Sequence, residues 1–216
     1  MVVMSAAARF SRLVKAGAVL FLVQAMAPVM AQQNLRDTFP GRRIGGGTRG
    51  ECAARFVINL VPRTSVFAPG PAALIAVLHG PSRRPMPLEL SFRSYEGEGS
   101  FQSNRLISRR LESPSPASLL LFKISDMALP LVWESSYQCE PDQVVDELAF
   151  LGSDAPAAVS LLVDTAQSED QVLQSALTKW HKVCGGSVPV RDVVETARLE
   201  GLDLSRWPSQ LPVHCP

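Results

Sequence analysis

Short runs in which apolar and polar residues alternate fill the first two thirds of the chain. From Cys52 to Leu60, and again from Trp133 to Cys139, every second residue lies on one face. This period of two is typical of strands with one buried side. Continuous apolar stretches bounded by Pro or Gly indicate more deeply buried strands. The predicted strands span residues 52–60, 73–79, 88–92, 101–107, 119–124 and 133–139.

The apolar pattern changes to a helical period after residue 153. Ser168 with Gln171 three positions later is the pattern of a capping box at a helix start. The apolar stripe that follows ends at Gly185, and a further stripe ends at Gly201. The three predicted helices span residues 157–166, 168–184 and 190–200.

Strands at short intervals followed by helices predict an α+β fold. We expect an N-terminal antiparallel β-sandwich, immunoglobulin-like or jelly-roll-like, and then a small C-terminal helical region. Tyr137 stands two residues before Cys139, as in the tyrosine corner of immunoglobulin domains, although Trp133 does not match the buried Trp of that fold. The predicted divisions are a signal peptide at 1–31, a Gly/Arg-rich flexible leader at 32–51, the β-sandwich at 52–152 and a helical extension at 153–216.

The N-terminal segment has the layout of a signal peptide. Arg9, Arg12 and Lys15 precede an apolar stretch at 16–26, and Ala31 closes a small-residue cleavage site. The stretch is too short to span a bilayer, which takes about 20 residues, and no later stretch is a better candidate. The sequence therefore predicts a periplasmic or extracellular protein with no membrane span after cleavage. Retention of the segment as an anchor is the alternative.

The charge balance excludes one class of partner. The chain has 21 Lys and Arg against 20 Asp and Glu, and the signal removes three basic residues and no acidic one. The mature chain then carries a net charge of −2. Such a chain has no electrostatic footprint for nucleic acid, so we expect no nucleic-acid partner.

Four cysteines form the predicted covalent framework. An even number of cysteines in an exported chain favours disulfides over free thiols. Cys52 and Cys139 lie on the inward faces of the first and last predicted strands, so a bridge between them is sterically reasonable. Cys184 ends the second predicted helix and is placed to hold the C-terminal tail through Cys215. Whether the four residues pair in this way is left open by the sequence.

A metal or redox site is the alternative for the C-terminal cysteines. His181 and Cys184 are three residues apart on a helix, and His214 precedes Cys215. Imidazole and thiolate are the ligands that zinc and copper prefer. However, this spacing fits no standard structural site, and adjacent His and Cys residues make an awkward chelate. Disulfides are therefore the favoured interpretation, and no cofactor is predicted.

The glycine- and arginine-rich segment at 41–52 is a candidate anion site. It lacks the lysine of a phosphate-binding P-loop and the strand that should precede one, so we reject a nucleotide site. Backbone amides of a glycine nest with Arg42, Arg43 and Arg49 would suit an anion. The sequence identifies no partner, and an envelope protein or an anionic glycan is the candidate. A flexible leader without a ligand is the favoured alternative.

Catalytic motifs are absent from the sequence. There is no Gly-x-Ser-x-Gly elbow, and no motif places a serine beside a histidine and an aspartate. We therefore name no catalytic residue and predict a non-enzymatic binding or cell-envelope interaction module. A metal-binding or redox protein is the second hypothesis, and a hydrolase with an unrecognised site is the third.

One segment carries a family resemblance. Gly-Arg-Arg-Ile-Gly-Gly-Gly-Thr-Arg-Gly-Glu-Cys at 41–52, followed by Leu-Val-Pro at 60–62, resembles a bacterial domain-of-unknown-function family best known from exported cyanobacterial proteins. The similarity continues more weakly at 88–95 and at 131–142, whereas the aromatic-rich segment of that family is mostly aliphatic here at 73–80. The resemblance implies an exported, β-rich, disulfide-bonded protein and supplies no catalytic residue.

Overall fold

The computed structural model describes residues 35–46, 56–82, 87–95, 107–111, 115–124, 128–137 and 157–216. The chain divides into two compact units, and the boundary lies between Thr38 and Phe39. In the first unit the described residues, 35–38, are helical. The predicted signal peptide, the predicted domain boundaries at 31, 51 and 152, and the residues Arg49, Cys52 and Cys139 all lie outside the described residues.

The second unit spans residues 39–216. Its described residues form eleven strands, two α-helices and one short 3-10 helix. The strands are β1 (Ile44–Gly45), β2 (Phe56–Asn59), β3 (Val66–Phe67), β4 (Leu74–Gly80), β5 (Leu88–Ser94), β6 (Ile107–Leu111), β7 (Ser118–Lys123), β8 (Leu131–Tyr137), β9 (Ala158–Leu162), β10 (Ser187–Pro189) and β11 (Gln210–His214). The helices are α1 (Ser168–His181), α2 (Val190–Thr196) and the 3-10 turn Leu204–Arg206.

Two mixed sheets contain all of these strands. The six-stranded sheet has the order β1-β2-β4-β7-β11-β10, and the five-stranded sheet has the order β3-β9-β8-β5-β6. Neighbouring strands are antiparallel except for β7 with β11 and β3 with β9, which are parallel. The last strand of the chain, β11, therefore lies between β7 and β10, inside the larger sheet.

One hydrophobic core joins the two sheets and the helices. Buried residues of both sheets, of α1 and of the C-terminal segment belong to a single apolar cluster. β4 is buried along its whole length, as its continuous apolar sequence predicts. The sheets are also joined by a polar contact, since Nδ2 of Asn59 on β2 donates to Oγ of Ser160 on β9 at 3.1 Å. Both side chains are fully buried, so this contact lies within the core.

α1 confirms the helix predicted at 168–184 over residues 168–181, with a different N-terminal cap. Its buried apolar residues Leu173, Leu177 and Trp180 lie on one face, at the spacing of an amphipathic helix. The carboxylate of Asp170 accepts a hydrogen bond from the backbone N–H of Gln167 at 2.7 Å. The capping pair is therefore Gln167 with Asp170, one residue earlier than the predicted pair.

The region after residue 153 departs most from the prediction. The predicted helix at 157–166 is wrong, because residues 158–162 form β9, which pairs with β3 and β8. Ala, Val, Ser and Leu in a short apolar run suit either element, and burial between two strands decides for the strand. The C-terminal segment thus adds strands to both sheets rather than forming a helical region after an antiparallel sandwich.

The expected strands are mostly in place. β4, β5, β7 and β8 confirm the predicted strands at 73–79, 88–92, 119–124 and 133–139 within the described residues, and β2 confirms the second half of the strand at 52–60. The strand predicted at 101–107 is described only at Ile107, where β6 begins. Part of the expected flexible leader is paired, since β1 lies against β2.

Among the described residues, no helix has both the length and the apolar character needed to cross a membrane.

Candidate functional site

Cys184 and Cys215 form a disulfide at the corner where α1 ends and β11 ends. Their Cα atoms are 5.9 Å apart, within the range that a disulfide requires. This bond is one of the pairings that the sequence left open, and it fits an oxidising compartment. It closes a segment with a sequence separation of 31, which is worth about 3–4 kcal/mol in the chain-entropy model.

The backbone of this corner is held independently of the disulfide. The N–H of Gly185 donates to the carbonyl of Val213 at 2.9 Å, and the N–H of Val213 donates to the carbonyl of Gly186 at 2.9 Å. β10 then pairs with β11. Gly185 has a φ of +80°, a conformation in which glycine is favoured because it carries no Cβ. The turn after α1 is therefore fixed against β11 by the main chain.

Three side chains of the predicted metal alternative meet at the same corner. One ligand atom each from His181, Cys184 and Cys215 lies within 4.8 Å of the other two. His181 and Cys184 are exposed, and Cys215 is half-buried. His214, the fourth residue predicted for this site, is not part of this group.

The side chain of His214 belongs to a groove beside the disulfide. The groove has a volume of about 510 Å³. Its described walls are formed by Leu111, Leu120, Cys184, Gly185, Val213, His214, Cys215 and Pro216. Nε2 of His214 is buried and has no hydrogen-bond partner among the described residues. We call this feature the disulfide groove; its walls come from both sheets and are mostly apolar, with the imidazole of His214 as the one titratable side chain among them.

A buried polar cluster joins the two sheets around Tyr137 and His79. The hydroxyl of Tyr137 on β8 donates to the carbonyl of Phe56 at 2.8 Å and accepts from the N–H of Gly80 at 3.2 Å. Its oxygen is 3.4 Å from Nδ1 of His79 on β4. Burial, and to a lesser extent the charge of His214, lowers the pKa of His79 to about 4. His79 is therefore a neutral imidazole at physiological pH.

Of the predicted anion-binding arginines, Arg43 binds main-chain carbonyls and Arg42 is exposed. Nη1 of Arg43 donates to the carbonyls of Val61 and Ala197 at 2.9 and 2.8 Å, and Nη2 donates to the carbonyl of Arg198 at 2.7 Å. These acceptors include carbonyls at the C-terminal end of α2, where a cation is favourable. Burial first, and the charge of Arg63 second, lower the pKa of the Arg43 guanidinium. Arg42 is exposed and its backbone pairs with Val159 on β9.

Sequence reasoning missed most of the disulfide groove. Leu111, Leu120 and Val213 are apolar strand residues, and nothing in their sequence distinguishes a groove wall from core. His214 was considered only as a metal ligand. One signal was present for Tyr137. Its position two residues before Cys139 resembles that of a tyrosine corner, in which the hydroxyl also forms a hydrogen bond with the backbone.

Comparison of the chain with models of known families, with curated proteins and with solved structures finds no match. The family resemblance of residues 41–62 and the functions considered above therefore stay predictions.

Proposed function

We propose that the protein is an exported, non-enzymatic binding module that takes a small ligand in the disulfide groove. The observation that carries the proposal is the groove itself, a volume of about 510 Å³ whose walls are mostly apolar and include one imidazole, that of His214. Nε2 of His214 is buried and has no hydrogen-bond partner among the described residues. A turn of the imidazole toward the groove would bring this nitrogen to a polar group of the ligand, and so give it the partner that buried polar atoms nearly always have. The Cys184–Cys215 disulfide supports work in the periplasm or outside the cell.

The walls of the groove favour an amphipathic ligand. Pockets for small molecules usually have volumes of 300–1,000 Å³ and apolar walls with a few polar groups, and the groove fits this description. Leu111, Leu120 and Val213 would contact an apolar body, and His214 would bind one polar group. An anionic glycan suits these walls poorly, because its many polar groups would lose water without gaining partners.

Binding of a fluorescent undecanoic acid derivative to the purified protein tests the proposal. Leu111→Trp should fill the groove and weaken binding at least tenfold. Ile107→Trp is the matched control, because Ile107 lies on the same strand and is exposed outside the groove wall. His214→Phe removes the polar partner and should weaken binding while it keeps the apolar body in place. Absence of saturable binding, or equal affinity in Leu111→Trp and Ile107→Trp, would refute the proposal.

A further inference from the structure

His181, Cys184 and Cys215 form a corner with three candidate metal ligands, and the disulfide keeps two of them from binding a metal ion. Thiolates bind metal ions, whereas the sulfur atoms of a disulfide do not carry the charge that such binding requires. In the oxidised protein the two sulfur atoms are bonded to each other. A metal ion can therefore bind at this corner only after that bond is reduced.

Reduction would leave the two thiols close together. The hydrogen bonds between Gly185, Gly186 and Val213 join the turn after α1 to β11 through the main chain, close to both cysteines in sequence. β10 pairs with β11 directly beyond this turn. These contacts do not involve sulfur, so they keep Cys184 near Cys215 when the covalent bond is absent.

The geometry suits a tetrahedral thiophilic cation. In a zinc site, bonds of about 2.3 Å to sulfur and about 2.0 Å to nitrogen place neighbouring ligand atoms about 3.5 Å apart. The three ligand atoms here lie within 4.8 Å of one another, and His181 and Cys184 are exposed and can adjust. Two sulfurs and one imidazole nitrogen also match the preference of zinc for soft and borderline ligands.

We propose that His181, Cys184 and Cys215 form a zinc-type metal site that becomes available only when the Cys184–Cys215 disulfide is reduced. A dithiol reductant gives two electrons and two protons to the disulfide, and becomes a disulfide itself, leaving two cysteine thiols. Binding of Zn²⁺ then releases the two thiol protons and forms two zinc–sulfur bonds and one zinc–nitrogen bond, with water in the fourth position. The oxidised and metal-bound states exclude each other, so metal and oxidant compete for the same pair of sulfurs.

This inference goes beyond the proposed binding function, because it needs no ligand in the disulfide groove. His214 distinguishes ligand binding in the disulfide groove from metal binding at the corner, because it lines the groove and is outside the group of three ligand atoms. A variant at His214 should therefore affect groove binding and leave metal binding unchanged.

Titration with Co²⁺ tests the metal site, since Co²⁺ is a spectroscopic substitute for Zn²⁺. The full chain is reduced with a phosphine, freed of reductant without oxygen and titrated in parallel with the oxidised protein. The reduced protein should show sulfur-to-cobalt charge-transfer absorption that saturates at one equivalent and disappears when Zn²⁺ is added. The oxidised protein should show none of this absorption.

Variants assign the signal to these residues. Cys184→Ser should abolish the charge-transfer absorption, and His181→Ala should weaken Co²⁺ affinity at least tenfold, while His214→Gln should leave it unchanged. Reduction also frees Cys52 and Cys139 if they are paired, so Cys52→Ser serves as a control that should retain the signal. Circular dichroism verifies the fold of each variant, and His181 is exposed, so its replacement should not disturb folding. No stoichiometric Co²⁺ in the reduced protein, or a signal that survives Cys184→Ser or His181→Ala undiminished, would overturn the proposal.

Discussion

At the scale of single residues, His79 shows how the space between the sheets controls a titratable group. Its side chain is 1% exposed and lies beside the Tyr137 hydroxyl, with His214 as a second imidazole nearby. An imidazolium ion there would lose its hydration and meet another group that can become positive. Both effects disfavour protonation, so the folded protein holds His79 neutral well below the pH at which an exposed histidine would be charged.

This burial predicts a loss of stability in mild acid. His79 has a pKa of about 4 in the folded protein and about 6.5 in an unfolded chain. Between these values the unfolded state binds a proton that the folded state does not, so the free energy of unfolding falls as the pH falls from about 6.5 to about 4. The loss from this group should total about 3 kcal/mol. Urea denaturation at each pH measures it.

The His79→Asn variant isolates this effect from the titration of carboxylates. Its amide can still reach the Tyr137 hydroxyl but does not titrate, so its stability should fall less than that of the wild type over the same pH range. His181→Asn, which replaces an exposed histidine, is the control and should follow the wild type. Parallel pH profiles for the wild type and His79→Asn would contradict the prediction.

At the scale of elements, Arg43 joins the segment that carries β1 to the end of α2. Its guanidinium donates to carbonyls at Val61, Ala197 and Arg198, which are distant in sequence. Carbonyls at a helix C-terminus have no partner within the helix, and a cation there satisfies them and complements the helix dipole. The residue predicted as an anion ligand thus has three acceptors within the fold.

Replacing Arg43 with Met should destabilise the protein by about 2 kcal/mol, because partly buried carbonyls would lose charge-assisted hydrogen bonds. Arg63→Met is the matched control. Arg63 pairs with Glu200 at an exposed site, and an exposed ion pair contributes less than about 1 kcal/mol. Urea denaturation followed by far-ultraviolet circular dichroism measures both variants. Equal losses in the two variants would argue against the structural role of Arg43.

At the scale of the whole molecule, strands from the C-terminal segment complete both sheets. β9 lies between β3 and β8 in the five-stranded sheet, and β11 lies between β7 and β10 in the six-stranded sheet. In two strand pairs, β3 with β9 and β7 with β11, the partners lie further apart in sequence than in any other pair of these sheets. Both of these pairs are parallel. Parallel partners cannot be joined by a tight hairpin, so the chain must travel far before it returns to pair.

A chain that ends at residue 152 should therefore fail to fold. Without β9 and β11 the five-stranded sheet loses the strand between β3 and β8, and β7 loses one neighbour, which exposes backbone groups and apolar faces. We expect a poorly dispersed amide spectrum and no cooperative thermal transition for residues 32–152. Residues 32–216 are the control and should give dispersed resonances and one transition. A cooperatively folded 32–152 fragment would instead support an independent β-sandwich domain.

Elements that depend on neighbouring residues were predicted correctly from the sequence, whereas elements that depend on partners far away in sequence were not. β4 was predictable from its continuous apolar run, and β5 and β8 from their alternating residues, because both patterns reflect which faces of a strand are buried. The capping residues of α1 were placed one position off, because Ser, Gln and Asp can all cap and only the main-chain path selects among them. β9 was mistaken for a helix because its composition suits both elements and its neighbours β3 and β8 decide.

By itself, the sequence determined the local content of this protein: a β-rich chain, the long amphipathic helix α1, and cysteines suited to a disulfide. Those properties depend on the burial period and turn chemistry of neighbouring residues. Only the tertiary structure decided that the C-terminal strands enter both sheets, that Arg43 binds the end of α2, and that His214 faces the disulfide groove while His181 joins the two cysteines. These features arise from contacts between residues far apart in sequence, whose pairing depends on how all the elements pack together.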